Sequence, residues 1–387
     1  MFDLTEEQLM LRDMCRGFAE KKLRAQAIEI DNSHEFPLET TRQMAELGLM
    51  GVVYPGEYNG AEMDYVSYAI AVEEISRVCA SSGVIVSAHN SLCLSPIYYF
   101  GTEEQKKKYL PRLCSGEHLG AFAITEPGAG SDAGGTTTTA ILDGDSYILN
   151  GTKNFITNGG YADVHVTLAV TDKAGKKNKN TSMFIVEKGD PGFSVGKVEE
   201  KLGICASSTT EMVYEDCRIP ADRLLGSPGE GFKISMHTLD GGRVGIAAQA
   251  LGIAQAALDE AAKYAQERSQ FGAPIARLQT IQNMLADMAT EIEAARLLVY
   301  KAAAMLDKYG ADRRPVSKNA AMAKLYASEA ATRCTHKCIQ IHGGYGFVKE
   351  YIPERLYRDA RITEIYEGTS EIHRLVIASN VLAEYGQ

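Results

Sequence analysis

The segment Tyr366-Glu367-Gly368-Thr369-Ser370-Glu371 sets a carboxylate next to a glycine and two residues ahead of a threonine that reads as a helix cap. A carboxylate held on a loop, rather than on a helix face, can serve as a general base. Gly368 marks backbone that must bend or come close to something. Thr369 is placed to cap the helix that starts there, with Glu371 in its first turn. Taken alone, the segment is more commonly explained by a solvent-facing glutamate, so its meaning depends on what else the chain brings to it.

Several glycine-containing segments are candidates for that company. In Thr125-Glu126-Pro127-Gly128-Ala129-Gly130-Ser131-Asp132-Ala133, the residues Gly128, Gly130 and Ala133 formally satisfy the G-x-G-x-x-A dinucleotide fingerprint. That fingerprint must open a helix whose N-terminus holds a pyrophosphate. Here Gly134-Gly135 and four threonines follow, which read as loop or strand, so a Rossmann site is excluded. The segment is either a loop without a ligand or one whose backbone N–H groups approach a flat ring or an extended chain. Asn150-Gly151 is a hairpin-turn signal, and Phe155, two residues before Thr157 on one strand face, could pack against and hydrogen-bond a flat ring. Leu239-Asp240-Gly241-Gly242-Arg243 reads as a tight turn and cap just before a helix, with Arg243 available to a carboxylate or phosphate. Arg268-Ser269-Gln270-Phe271-Gly272 reads as the charged, capped end of a helix. In Gln340-Ile341-His342-Gly343-Gly344-Tyr345-Gly346, the adjacent glycines let amides reach a pyrophosphate, whereas His342 reads as structural. The eight cysteines, at 15, 79, 93, 114, 205, 217, 334 and 338, contain no C-x-x-C and read as reduced, buried thiols. Cys334 and Cys338 are one helical turn apart, but His336 between them points to another face, so no metal is expected.

The elements that position these segments follow from hydrophobic period. Thr5, with Glu6 and Glu7 behind it, and Thr102, with Gln105 at the capping-box position, each open a helix; residues 40–49 and 65–78 carry further helical patterns. Breakers at Gly51, Pro55, Gly56 and Gly60 separate them. From Gly120 to about Gly229 short alternating runs (147–149, 164–170, 183–186, 211–214) and turn clusters such as Asn158-Gly159-Gly160 predict antiparallel β structure, a barrel or sandwich. Lys173 to Lys179 reads as a solvated hairpin tip. Beyond Gly231 the helical period returns. Ile281, Leu285, Met288, Ile292 and Ala295 form an apolar seam, and Ala-rich stretches at 245–266 and 317–338 complete a bundle. Wide apolar faces of this kind also suit subunit association. The fold class is therefore α+β, mainly α: a helical domain (1–120), a central antiparallel β domain (121–232) and a C-terminal helical-bundle domain (233–387). Hydrophobic residues make up 45% of the 387, enough for a large core, and the net charge of −10 argues against a nucleic-acid partner. No apolar run reaches the roughly 18–20 residues of a membrane span. The first twelve residues carry neither a signal h-region nor a basic transit pattern, which points to the bacterial cytoplasm, or to the mitochondrial matrix for a processed chain.

Jointly and in this order, the segments resemble the acyl-CoA dehydrogenase family over essentially the whole chain, and closest to the short-chain, butyryl-CoA-type members. The resemblance implies an N-terminal helical domain, a β domain and a C-terminal four-helix domain, FAD as cofactor, and a homotetramer. By that resemblance Glu367 is the catalytic base. Phe122, Ile124, Thr125, Gly130 and Ser131 lie along the flavin, with Ser131 also on CoA. Phe155-Ile156-Thr157 matches the family's W-I-T segment, with Phe155 keeping an aromatic wall in a chain that has no Trp. Arg268, Phe271 and Gln279 contact FAD across a subunit interface, and Gln340, Gly343 and Gly344 its diphosphate. Asp240, Arg243 and Gly368 lie on the acyl-CoA, and Thr369 and Glu371 by FAD. Members that carry the base just before the arginine do so at a position that is Gly242 here. Ala247 to Gly252 further resembles bacterial butyryl-CoA dehydrogenases.

The implied reaction removes an α-proton and a β-hydride from an acyl-CoA, FAD taking the hydride at N5. The N–H of Glu367 and a ribityl hydroxyl stabilise the thioester oxygen, and electron-transferring flavoprotein is the acceptor partner. Cyclic acyl-CoAs are an alternative substrate class. Glutaryl-CoA is disfavoured, because the segment expected at the pocket base, Ser87-Ala88-His89-Asn90-Ser91-Leu92, lacks Arg and Lys. A flavin-binding protein without dehydrogenation, or an oxidase, are the readings from other classes.

Overall fold

Two capping boxes open helices where the sequence places them. Thr5 accepts from the Gln8 amide at 3.2 Å while the Gln8 side chain accepts from the Thr5 amide at 3.0 Å, and Thr102 and Gln105 repeat the pair at the same two distances. The computed structural model describes residues 3–386; Met1 and Phe2, at the head of the stretch read above as carrying no leader, and Gln387 lie outside them. The N-terminal third is α1 (Glu6–Phe18), α2 (Arg24–Ser33), α3 (Leu38–Glu46), α4 (Tyr65–Val78), α5 (Ala80–Ala88), α6 (Ser95–Phe100) and α7 (Glu103–Cys114). Helices α4 and α5 are buried almost all round, as their apolar composition requires. Between α5 and α6 the helix widens to a π-type turn over His89–Leu94, all of it buried. His89 ties this turn to the β domain. The Gly120 N–H donates to its Nδ1 (3.0 Å), so Nε2 carries the proton and donates to the Leu113 carbonyl (2.9 Å). Burial keeps that imidazole neutral, its pKa lowered to about 4.

The middle of the chain forms one eight-stranded sheet from β1 (Gly120–Ala123), β2 (Thr139–Asp143), β3 (Ser146–Thr157), β4 (Val164–Val170), β5 (Thr181–Glu187), β6 (Phe193–Val198), β7 (Thr209–Pro220) and β8 (Leu224–Leu225). Its order is β6-β7-β3-β2-β4-β5-β8, with β1 beside β4. Most pairings are antiparallel, but β1 and β2 both run parallel to β4, so the sheet is mixed. The Asn150-Gly151 pair is not a hairpin turn. It lies inside β3 at a register shift against β7, where Gly151 (φ 146°) passes so close to Thr138 that a Cβ would stand 2.7 Å from the Thr138 Cα. The turn of that hairpin is Gly144-Asp145, with Asp143 and Ser146 paired across it and Gly144 left-handed (φ 64°). The lysine-rich 173–179 stretch does join β4 to β5 as an exposed tip.

The last part comprises α8 (Gly231–Glu267), a short hairpin of β9 (Ser269–Gln270) and β10 (Ala273–Pro274), α9 (Gln279–Tyr309), α10 (Arg314–His342), α11 (Pro353–Ile362) and α12 (Ser370–Glu384). Leu239 to Arg243, read above as a turn ahead of a helix, is instead the interior of the 37-residue α8. Two adjacent glycines survive there because tertiary contacts, not propensity, decide the helix. The Arg268–Gly272 segment is likewise not a plain helix end: Phe271 (φ 54°) and Gly272 (φ 78°) form the left-handed turn of the small hairpin. Helix α8 packs on α9, α10, α4 and α5, so one apolar core joins the two helical regions. All eight cysteines are free and buried. Among the described residues no helix is long and apolar enough to cross a membrane, and no group of three or more His, Cys, Asp or Glu is placed to hold a metal.

Helices α4 and α8 pack backbone to backbone at Gly252, where a Cβ would overlap the Glu73 carbonyl and stand 2.9 Å from the Arg77 amide. Because the obstacle is backbone, the helices would have to part. Gly252→Ala is expected to lower stability by about 1–3 kcal/mol, read as a lower midpoint in denaturant with an unchanged slope.

Candidate active site

After α11 ends at Ile362 the chain turns back on itself before Thr369 caps α12 by accepting the Ile372 amide. The turn is made by two left-handed residues, Glu367 (φ 53°) and Gly368 (φ 102°). A non-glycine residue in that region is strained by about 1–3 kcal/mol, so the turn needs anchors. The Tyr366 hydroxyl donates to the Gln249 side chain of α8, whose amide donates on to the Ala80 carbonyl at 2.9 Å. The Lys324 ammonium of α10 donates to the Gly368 carbonyl at 2.6 Å, and the Ser370 amide to the Glu364 carbonyl at 3.1 Å. So held, Glu367 faces a cleft of about 990 Å³. Its Oε2 is buried and has no hydrogen-bond partner. Burial pushes the carboxyl up to about 8, against the pull of Lys324 and Arg243.

Why α8 carries Gly242 beneath this turn is now visible. A Cβ on Gly242 would overlap Oε2 of Glu367 and come within 2.8 Å of Leu92. The next residue, Arg243, lines the cleft and is paired at 2.7 Å with Asp240, both side chains being buried. Asp240 itself does not line the cleft; it stands behind Arg243 and orients it.

Of the remaining expected site residues, Phe122, Ile124, Thr125, Gly130, Ser131, Phe155, Ile156, Thr157, Gly368 and Thr369 all line this cleft. Phe155 sits at a second irregularity of β3, between Lys153 and Ile156, with φ 59°. The bulge turns its ring out of the strand, 60% exposed, as an aromatic wall. At Gly130 a Cβ would meet nothing within 4 Å, so the loop leaves open space there. The lining also includes a set of apolar side chains, Val84, Ala88, Leu92, Phe232, Met236 and Leu239. The polar members of the 87–92 segment are used elsewhere, Asn90 on the Leu49 and Val86 carbonyls and Ser91 on that of Ser87.

A different cleft, of about 740 Å³, holds Arg268, Phe271, Gly343 and Gly344. Arg268 lies over the Tyr345 ring at 5.6 Å, and Phe271 is 92% exposed at the hairpin tip. Cβ atoms on Gly343 (φ 60°) and Gly344 would meet nothing within 4 Å, leaving their amides approachable. Gln279, at the start of α9, Gln340, in the last turn of α10, and Glu371, in the first turn of α12, are exposed and line neither cleft. The expected cofactor residues therefore divide between two clefts with no lining residue in common.

Sequence reasoning passed over the groups that hold the cleft in shape. Lys153, fully buried, donates to Glu126 (2.7 Å), to the Thr136 hydroxyl (2.8 Å) and to the Ile124 carbonyl (3.2 Å). Glu126 in turn accepts the Thr137 and Thr138 amides and the Thr136 hydroxyl, which pins both ends of the Gly-rich loop. These contacts hold the Glu126 carboxyl far below the ordinary range despite its burial. Lys and Glu are rarely buried unless paired, but only the fold discloses which pair. Lys324 and the Tyr366–Gln249 bond were missed for the same reason.

The donors and walls fit a flavin adenine dinucleotide. The first cleft offers an aromatic face at Phe155, hydroxyls at Ser131 and Thr157, and space at Gly130. The second offers the Arg268 cation and unobstructed glycine backbone suited to a diphosphate.

Three family models cover most of the chain: the acyl-CoA dehydrogenase N-terminal domain over residues 5–117, the middle domain over 121–217 and the C-terminal domain over 229–382. The chain is 56% identical to a mitochondrial short-chain specific acyl-CoA dehydrogenase of Bos taurus, over 99% of this chain and 92% of the relative. It is 53% identical to a short-chain specific acyl-CoA dehydrogenase of Clostridium acetobutylicum, over 98% and 99%. The solved butyryl-CoA dehydrogenase of Megasphaera elsdenii superposes with a TM-score of 0.96 at 46% identity, covering 99% of this chain and 100% of that one.

Gly242→Ala tests the geometry while leaving the carboxylate itself in the chain, because the added Cβ would displace Oε2 of Glu367. It is expected to fold and stay yellow but to lose about 100-fold or more in kcat, since a misplacement near 1 Å costs that much. An unchanged kcat would show that Glu367 does not need this contact.

Proposed function

This chain belongs to the acyl-CoA dehydrogenase family, and on that premise we propose that Glu367 is the base of an FAD-dependent α,β-dehydrogenation of short-chain acyl-CoA thioesters. The observation that carries the assignment is a carboxylate with an unpartnered, buried oxygen, in a cleft whose lining includes the exposed Phe155 ring and a set of apolar side chains. Bound FAD supplies the acceptor for the β-hydride.

The chain's own residues do the rest. Phe155, Thr157, Thr125 and Ser131 hold the ring of the cofactor, while Arg268, Phe271, Gln279, Gln340, Gly343 and Gly344 serve its far end. Ser131, Gly368 and the Asp240-oriented Arg243 hold the thioester. The amide of Glu367 follows the last backbone bond of α11, from Tyr366 to Ile362, and is presented to the thioester oxygen as negative charge builds there. Glu367 then takes the α-proton. Its dry surroundings make the carboxylate a stronger base than an exposed glutamate. A short, uncharged acyl group suits the apolar side chains of Val84, Ala88, Leu92, Phe232, Met236 and Leu239. A distal carboxylate would find no cation among residues 87–92.

Electron-transferring flavoprotein is the proposed acceptor for the reduced enzyme. The second cleft, apart from the first and bordered by the exposed Phe271 and Tyr345, supports a homotetramer in which one subunit completes its neighbour's cofactor site. The proposed compartment is the bacterial cytoplasm, or the mitochondrial matrix for a processed chain.

Glu367→Gln is expected to retain flavin and CoA binding and to lose flavin reduction by butyryl-CoA about 100-fold or more. Bleaching at the wild-type rate would refute the role. In the wild type the carboxylate is the active form and its pKa is raised. The kcat/KM for butyryl-CoA should therefore rise with pH through about 8 and fall on the acid side. A flat profile between pH 6 and 9, about two units below and one above that value, would contradict the assignment.

A further inference from the structure

Lys324 is fully buried, and its ammonium lies against the turn that carries Glu367. Among the described residues it forms no ion pair within 4.0 Å; its bond goes to the neutral Gly368 carbonyl. A hydroxyl or amide could have made that bond without the cost of burying a charge. The charge therefore calls for its own explanation, and the groups facing it provide one. From the α11–α12 turn come Glu367 and Glu364, from α12 Glu371 and His373, and from α8 Arg243. Glu367 is faced in turn by Lys324, by Arg243 and by the phenols of Tyr68 on α4 and its neighbour Tyr366. The two phenols are held neutral by burial, and Arg243 already has Asp240. His373 is buried with neither ring nitrogen bonded, and its pKa is strongly lowered, so it adds no charge near neutral pH. Lys324 is thus the one cation beside Glu367 without a carboxylate of its own within 4.0 Å among the described residues.

We propose that Lys324 is a positioning residue for the base: it clamps the Gly368 carbonyl to keep Glu367 on its left-handed turn, and its charge keeps the buried carboxyl able to ionise. The directions of titration accord with that geometry. Burial raises the Glu367 carboxyl, and Lys324 is the largest influence opposing it; burial lowers the Lys324 amine, and Glu367 is the largest influence opposing that.

The role rests on Glu367 acting as the base, and the test separates the two claims. Flavin-loaded Lys324→Met and Lys324→Gln, the latter retaining a donor for Gly368, would be titrated by infrared spectroscopy. The band of the protonated Glu367 carboxyl is identified by its absence in Glu367→Gln. In both variants the band should persist to higher pH than in the wild type, by about one unit or more. The acid limb of kcat/KM should move with it, and Lys324→Arg should return both toward the wild type. An unmoved band in both variants would overturn the proposal, whatever the loss of rate, because it would leave Lys324 a purely structural role. Failure of both variants to fold with flavin would overturn it equally, by assigning the ammonium to the fold. A band that moves while the limb stays fixed would uphold the tuning by Lys324 and refute Glu367 as the base.

Discussion

An ionisable oxygen buried without a partner is costly, and the rest of this site is arranged to keep one in place at Glu367. The turn that presents it is left-handed at two successive residues and would relax if released. Three helices prevent that: α8 through Gln249, α10 through Lys324, and α12 through the Thr369 cap. The same demand explains the glycine beneath the carboxylate. Gly242 is poor helix material, yet it sits mid-helix because its missing side chain is the space Oε2 occupies. A weak local preference gives way to a contact from more than 120 residues later in the chain.

The opposite wall is built on a similar plan with different chemistry. There the Gly-rich loop has only a single 3-10 turn at Ala133–Gly135 and one bridge between Glu126 and Ala129, and a buried lysine–glutamate pair with three threonines supplies the rigidity. Such a pair contributes little net stability, because desolvation offsets its attraction, but it strongly disfavours any other loop arrangement. Both walls of the cleft thus carry a buried lysine bonded to loop backbone, Lys153 to the Ile124 carbonyl and Lys324 to that of Gly368. The cleft's lining residues Phe122, Ile124, Ser131 and Phe155 come from β1, the loop after it and the bulged end of β3, whereas Glu367 comes from between two helices. The substrate-sized space is the seam between sheet and bundle.

Much of this was legible before any coordinates. The N-cap at Thr5, the capping box at Thr102, the strand at 164–170, the α9 seam and the loop character of Glu367 all follow from local rules, and the structure agrees. Local rules failed where distant residues decide. Asn150-Gly151 has the composition of a turn but is a bulge fitted to Thr138, and Asp240-Gly241-Gly242 has the composition of a cap but is helix interior beneath Glu367. The parallel pairing of β1 and β2 with β4 cannot be read from alternation, which has the same period in either direction. The clustering of segments near 125, 155, 243 and 367 was available only through their joint resemblance to a family. Which of them share a cleft, and that those near 268 and 343 do not, needed the fold.

The most direct measurement is a crystal structure of the flavin-loaded protein with a redox-inert short acyl-CoA thioester analogue. It should place a Glu367 oxygen about 3–3.5 Å from the α-carbon, on the face of the acyl chain opposite the flavin, with the acyl end between Leu92 and Met236. A bound analogue whose α-carbon lies out of reach of Glu367, or a flavin on the same face as that carboxylate, would contradict the central role given to this residue.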